Sequence, residues 1–413
     1  MKFVPIKSIC LPIFLLFFIS GNFSIAQNGT ASSGPQLNAI QTAVPFMTIT
    51  PDSRAGGMGD LGVASEPDLN SQYWNSAKYV FMESQGGVAL SYTPWLRNLI
   101  NDINLAYLAG FYKLDDKQTV SAALRYFSLG QIVFTDNYGT PQGIYVPNEF
   151  AIDAGYSRLL TDNFSGGIVF RFIRSDLTGG QTVGGGESKA AMAIAGDLGF
   201  FYRKSDLRLG NKDAILGLGI QIANMGNKVS YTADQEKSFL PINLRLGGAL
   251  TINMDDYNSI ALMADVNKLL VPTPPVWATD SVGAPIKDDE GNQVVAHGKN
   301  PFVAVPVGMF QSFYDAPGVI MDDGSRSVWR EELNEITISA GLEYWYRKQF
   351  AIRGGYFYEH ATKGNRKYFT VGMGLRLNVF ALDFSYLIPV KQQNPLANTL
   401  RFTLGFEFGG NSR

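Results

Sequence analysis

Leu400-Arg401-Phe402-Thr403-Leu404-Gly405-Phe406-Glu407-Phe408 alternates without a break, every even position apolar and every odd one small, polar or charged. A period of two fits a β-strand with one face in lipid, here Leu400, Phe402, Leu404, Phe406 and Phe408. The other face, Arg401, Thr403, Gly405 and Glu407, would point into a barrel lumen. Hydrocarbon offers no water to backbone groups, so only a helix or a closed barrel crosses it, and this period excludes the helix.

The pattern recurs. Ile242, Leu244, Leu246, Leu250 and Ile252 oppose Asn243, Arg245 and Thr251, and Phe369, Val371, Met373, Leu375 and Leu377 oppose Thr370, Gly372, Gly374 and Arg376. Ile336, Ile338, Ala340, Leu342, Tyr344 and Tyr346 likewise oppose Glu335, Thr337, Ser339, Gly341 and Glu343. Fourteen candidate strands follow, near 86–94, 104–114, 118–130, 148–160, 163–176, 190–203, 213–224, 241–253, 258–270, 335–348, 349–360, 366–378, 379–390 and 396–409. Each is long enough for a tilted crossing, which takes about 9–11 residues. The expected fold is all-β, a 14-stranded antiparallel transmembrane β-barrel. A soluble sandwich would alternate too, but strand length, the even strand count and the asymmetry of the connections favour the membrane.

Lys2 and Lys7, the apolar run Ile9 to Ile19 and Ser24-Ile25-Ala26 read as a signal peptide over 1–26, cleaved after Ala26. The single cysteine, Cys10, falls inside that leader without a lipobox, so the mature chain is expected to carry no thiol. A net charge of -2 and pI near 5.8 supply no basic surface for nucleic acid. Beyond the leader no apolar run reaches the roughly 18 residues of a helical span, and the destination is a Gram-negative outer membrane. Residues 27–83 are rich in Gly, Ser, Asn and Pro, with a possible short helix through Tyr73 to Met82, and read as a periplasmic or plug segment before a barrel over 84–413. Connections after even strands are brief, as at Asp115-Asp116-Lys117, and those after odd strands are mostly long. The first strand should therefore run outward, with both termini periplasmic. The gap at 204–212 is long for a periplasmic turn, and the loops near 361–365 and 391–395 are short for exterior ones.

Alternation sends Arg125, Arg171, Arg245, Arg353, Arg376 and Arg401 into the lumen with Asp153, Asp197, Asp265, Glu343, Asp383 and Glu407. On the lipid face such charges cost about 2–4 kcal/mol each at midplane. Balanced signs suggest a luminal ion-pair network packed around the N-terminal segment, not a wide single-sign pore. The loop 271–334, between strands 9 and 10, is long and apolar, which argues against disorder. Phe302, Val305, Met309, Phe310, Phe313, Tyr314, Ile320 and Met321 are its candidate partner- or cargo-binding residues, either folded over the mouth as a lid or presented as a patch.

Several motifs lead nowhere. Gly57-Met58-Gly59-Asp60-Leu61-Gly62 spells GxGxxG but lacks a surrounding strand-turn-helix, and Gly179 to Gly186 lacks the Gly-Lys-Ser/Thr ending of a phosphate loop. Asp288-Asp289-Glu290-Gly291-Asn292 departs from calcium-loop spacing and reads as a solvated turn. Of the two histidines, His297 falls in the long loop and His360 at the rim beside Glu359, with no nucleophile placed near it. No catalytic residue, cofactor or metal is expected.

Thr48-Ile49-Thr50-Pro51-Asp52-Ser53-Arg54-Ala55-Gly56-Gly57-Met58-Gly59-Asp60-Leu61-Gly62-Val63-Ala64 and Asn70-Ser71-Gln72-Tyr73-Trp74-Asn75-Ser76-Ala77-Lys78-Tyr79 closely resemble the N-terminal signature of the PorV family, outer-membrane barrels of the Bacteroidota type IX secretion system. The likeness continues through Ser91 to Leu96, Asn101 to Tyr107 and Leu124 to Gly130, roughly the first third of the chain. More distantly, Arg54 to Gly59 and Trp74 to Lys78 resemble the FadL superfamily, fourteen-stranded barrels with an N-terminal hatch. The resemblance implies a non-enzymatic role: binding the C-terminal domain of exported cargo and shuttling it from the translocon barrel to the surface attachment complex with its sortase. The implied partners are those proteins and outer-membrane lipid, with lipopolysaccharide a candidate. The alternative it leaves open is a FadL-like transporter of hydrophobic small molecules, which needs an apolar pocket under the outer loops and a path past its hatch.

Overall fold

The computed structural model describes residues 37–409 apart from 98–99, 101, 136–137, 181, 184–185, 233–235 and 392–393. The signal peptide expected over 1–26 therefore lies outside the described residues. Fourteen strands close into one antiparallel barrel: β1 Gly86–Pro94, β2 Ile103–Asp115, β3 Gln118–Leu129, β4 Asn148–Thr161, β5 Phe164–Asp176, β6 Ala191–Leu209 and β7 Lys212–Gly226, then β8 Asn243–Asn253, β9 Asn258–Leu269, β10 Thr337–Tyr346, β11 Phe350–Tyr358, β12 Lys367–Leu377, β13 Phe380–Pro389 and β14 Leu400–Phe408. Pairing of β1 with β14, from Gly86 opposite Phe408 to Tyr92 opposite Phe402, removes the free edges. The alternation is realised as exposure. On β14, Phe402 and Phe406 are 43% and 42% exposed, while Arg401 and Thr403 are 1% and 2% exposed. Exposed apolar side chains recur on successive strands, for example Leu90, Leu108, Leu124, Ile152, Phe170 and Ile194. Tyr112, Tyr257, Tyr346, Phe350 and Phe408 stand out at one rim, in the manner of an aromatic girdle.

Turns of two to four residues join strands at that rim, as at 116–117, 162–163 and 254–257. The long connections gather at the other, the loop end. The gap read at 204–212 is mostly strand: β6 runs on to Leu209 and turns through Gly210, with a register shift between Lys204 and Leu207. Polar Lys204, Asp206 and Arg208 obscured this extension, because a hairpin reaching beyond the hydrocarbon no longer needs a lipid face. Ile242 is not part of an outward face either. β8 begins at Asn243, and Ile242 is fully buried beneath the loop that follows β9.

Residues 37–85 cross the lumen from the loop end to the turn end. Asn38 N–H donates to the Thr362 carbonyl at 2.9 Å and Ala43 N–H to that of Phe239 at 2.8 Å, both in outer connections. At the other end the Gln85 carbonyl accepts from Lys113 N–H at 2.8 Å. The first described residue, Leu37, is thus at the loop end and Phe408 is at the turn end; the N-terminus expected after cleavage at Ala26, and with it the expected periplasmic N-terminus, lies outside the described residues. Between them lie α1 Ser53–Gly56, α2 Ser71–Trp74 and a 3-10 helix Ser76–Phe81. The single helix expected over Tyr73–Met82 is broken at Asn75, which is extended (φ -171°) and whose side-chain oxygen caps Ala77 N–H. Its amide also donates to the carbonyls of Val63 and Phe200, an arrangement a continuous helix would forbid.

Glycines let the segment touch the wall. A Cβ on Gly355 would lie 2.1 Å from the Met58 carbonyl carbon, and one on Gly219 would lie 2.2 Å from the Val63 oxygen. Gly355→Val is therefore expected to dislodge the segment at a cost of roughly 1–3 kcal/mol or more. In detergent the barrel should keep its heat-modifiable mobility while residues 50–83 become cleavable by chymotrypsin; protection equal to the parent protein would contradict the packing described.

Candidate functional site

The charged residues of the lumen form two connected rows. In one, Arg54 of α1 reaches Glu343 of β10 through Nε at 3.0 Å and Nη2 at 2.8 Å, and Asp68 through Nη1 at 2.9 Å. Arg353 of β11 joins Glu343 and Asp383, each at 2.7 Å, and Arg376 meets Asp383 at 2.9 Å. In the other, Arg171 of β5 bridges Asp153 at 2.7 Å and Asp197 at 2.8 Å. Alternation along the strands brings these wall residues to one face. Arg54, supplied by the segment, went unread because one arginine in a glycine-rich stretch carries no periodicity.

Four of the expected ion-pair members do something else. Arg125 and Arg245 make no ion pair among the described residues; each guanidinium carbon sits 4.5 Å from the Tyr73 ring centroid. Their Nη1 atoms donate to the carbonyls of Met47 and Tyr73, at 3.1 and 2.8 Å. Asp265 accepts from Gly62 and Val63 N–H at 2.7 and 3.0 Å, and Glu407 accepts from Ser84 at 2.9 Å. These wall charges grip the segment's backbone, rings and hydroxyls. Arg401 meets Asp60 at 3.3 Å. The GxGxxG stretch is part of this seam: Gly59, at φ +79°, donates to Thr370 Oγ1, and Gly62 lies against Trp74.

The loop after β9 carries a short hairpin Val276–Trp277 with Val295–His297, then α3 Val305–Gln311 and α4 Val328–Asn334. It packs partly on the barrel wall and leaves other apolar side chains exposed. Val303, Val305 and Met309 pack on Phe239, Ile242, Leu270 and Val271, together with outward-facing Ile222 and Leu244 of the barrel wall. Phe302, Phe310, Phe313, Tyr314 and Ile320 remain 45–74% exposed, while Met321 is half-buried. Of the eight candidates, Val305 and Met309 thus belong to the packed face. The rim is tied by salt bridges as well. Lys268 falls on the outward face of β9, but α4 covers it: Glu332 and Glu335 lie at 3.0 and 2.6 Å. Lys363 meets Glu331 at 2.7 Å and Glu335 at 3.0 Å, and Glu331 also accepts from Asn38 at 2.9 Å. His360 does not engage Glu359, which is held by Arg366 at 2.8 Å; its Nδ1 lies 2.9 Å from Thr362 Oγ1. Asp288 accepts from the backbone of Glu290 and Asn292, a turn.

Asp315, between α3 and α4, accepts from Thr273 N–H at 3.2 Å. Burial, with Glu332 and Glu335 nearby, pushes its carboxyl up to about 7, against the pull of Thr273. From about pH 4 to 7 the folded loop then holds a proton that the opened loop has released, so loop stability falls as pH rises through that window and levels off above it. Hydrogen exchange of amides in 305–334, corrected for intrinsic pH dependence, should show more frequent opening at pH 8 than at pH 5. In Asp315→Asn that difference should shrink; an unchanged difference would rule out Asp315 as its source.

The chain matches the family described as Type IX secretion system protein PorV over residues 32–276, more than half of its length. No curated protein matches it. Similar solved structures include the Pseudomonas putida toluene transporter TodX (12% identity, 90% of this chain and 98% of that one, TM-score 0.45). The Ralstonia pickettii toluene transporter TbuX is another (11%, 87% and 98%, 0.43), as is a Pseudomonas aeruginosa FadL homologue (9%, 90% and 100%, 0.41). A closed fourteen-stranded barrel with this family match is an outer-membrane component of type IX secretion, and the chain belongs to the PorV family.

Proposed function

We propose that this barrel is a non-enzymatic shuttle that binds the C-terminal domain of exported cargo and carries it from the translocon barrel to the sortase-containing attachment complex. In this reading the leader is removed after Ala26, residues 27–83 act as the plug, the turn end faces the periplasm and the loop end faces outward. The observation that carries the reading is the pairing of a filled lumen with an apolar surface at the loop end. Residues 53–81 contact the wall too closely for a polypeptide to pass, and Phe302, Phe310, Phe313 and Tyr314 stand exposed on a loop held by packing and ion pairs. Such a platform suits docking. The barrel has no free edge, but two-stranded sheets in the loops, Ile132–Thr135 with Pro141–Tyr145 among them, keep outer edges to which a β-rich domain could add a strand.

The alternative, a transporter of hydrophobic small molecules, requires an apolar pocket and a way past the plug. The cavity beneath the loops has Ile40, Trp74, Leu269 and Phe357 in its lining, but six charged side chains, Asp60 and Arg366 among them, share it, and a lining so mixed suits an apolar ligand poorly.

The test is a pull-down from detergent-solubilised outer membranes using the parent protein, a variant with 300–322 replaced by a Gly/Ser linker, and Phe310→Ser/Phe313→Ser/Tyr314→Ser. Translocon, sortase and cargo C-terminal domains should co-purify with the parent, and cargo should fall at least about tenfold with both variants, as loss of a central apolar anchor implies. Full cargo recovery with the triple variant would remove this surface from the mechanism. Bound fatty acid without any secretion component would replace the shuttle by the transporter.

A further inference from the structure

The lumen is not filled to the brim. Above Tyr73 and Trp74, and below the loops, a cavity of about 290 Å3 remains, roofed partly by Ile40, Thr42 and Thr48 of the incoming N-terminal segment. Its charges are almost all satisfied. Glu359 is taken by Arg366, Glu335 by Lys268 and Lys363, and Asp60 by Arg401 and the Tyr368 hydroxyl. Arg245 differs: among the described residues it has no carboxylate partner. The carboxylate two rungs away on the same inner face, Asp265, is turned to the backbone of Gly62 and Val63. Nη1 of Arg245 is occupied by the Tyr73 carbonyl and Gln221, while no acceptor among the described residues engages Nε or Nη2. Its guanidinium carbon lies 4.5 Å from the Tyr73 ring centroid and 5.1 Å from that of Trp74, which fixes the plane of the fork.

Strand register supplies more donors. Arg245 of β8 is directly opposite Asn267 of β9, and Asn267 is directly opposite Thr337 of β10, so the three form one row across the inner wall. Neighbouring strands are about 4.8 Å apart. All three line the cavity with Asn243, and the side chains of Asn243, Asn267 and Thr337 have no protein hydrogen-bond partner among the described residues. A planar cation without a counter-ion, beside an amide and a hydroxyl free to donate, matches an anion with two coplanar oxygens.

We infer that this cavity binds a carboxylate, with Arg245 as its charge partner and Asn267 and Thr337 as neutral donors. The carboxylate can come from a small organic acid or from the C-terminus of a polypeptide entering between the loops; the site stands independently of the shuttle reading.

Purified full-length protein in detergent is titrated by calorimetry with benzoate, with glutarate, and with a short N-acetylated peptide bearing either a free or an amidated C-terminus. Saturable binding of a carboxylate is expected, weakened about tenfold or more in Arg245→Gln, the loss of one charge-assisted bidentate pair. Arg245→Lys, which keeps the charge without the fork, should fall between. Thr48→Trp leaves the barrel wall untouched and fills the roof, so it should also abolish binding. Preference for the free-terminus peptide over its amide and over both small acids identifies a chain end as the source; binding of the small acids alone identifies a metabolite. Failure of every carboxylate to saturate up to about 10 mM, or equal affinity in parent and Arg245→Gln proteins of unchanged heat-modifiability, overturns the site. The same variants in the pull-down keep the two readings apart, since intact cargo capture without carboxylate binding sinks only this one.

Discussion

Glu343 lies between two guanidinium groups, one from the barrel wall and one from the segment that fills it. Arg353 approaches at 2.7 Å and Arg54 at 2.8 Å, all three side chains nearly excluded from solvent. Two cations share one buried carboxylate because each has a second anion behind it, Asp68 for Arg54 and Asp383 for Arg353. Signs alternate along the row, so no member is left uncompensated. Removing one partner from such a row typically costs about 3–5 kcal/mol, because the remaining charge stays buried. The row therefore specifies where the segment sits more than it adds to stability. It lies at the level where Met58 and Gly59 meet Gly355, so charge and close backbone contact act at one place.

Filling the lumen shapes everything above it. A fourteen-stranded wall encloses more space than its own inward side chains fill, and here the remainder is taken by a folded segment whose glycines permit backbone contact and whose Tyr73 lies against Arg125 and Arg245. The result is a protein core surrounded by lipid instead of a channel. At the rim, the loop after β9 folds back over the outer wall, covers Lys268 with α4 and leaves one apolar face of α3 uncovered. The outer-membrane component of a secretion system that keeps its barrel closed can contribute surface without adding a leak.

Strand count, order and facing were legible because lipid imposes a period that nothing else in the sequence imitates: Phe402 and Arg401 could not exchange faces without placing a buried guanidinium in hydrocarbon. Legibility ended where lipid ended. The polar tail of β6 past Lys204 continues as strand outside the membrane, and the loss of alternation made it resemble a gap. Inward placement of Arg125 and Arg245 was readable, but their partners were not, because the lumen segment decides what stands opposite them and its own conformation has no period. Arg54 was missed for that reason. The apolar loop was visible as composition, whereas the division of Val305 and Met309 from Phe310 and Phe313 depends on which side of α3 meets Phe239 and Ile242.

A lumen filled in this way should be sealed, with the seal held by the Arg54–Glu343 contact. Conductance of the purified protein in planar bilayers tests it most directly. The parent protein should insert without steady conductance, and openings should appear in Arg54→Ala, whose barrel remains heat-modifiable. Stable ohmic conductance in the parent protein, indistinguishable from that of Arg54→Ala, would contradict it.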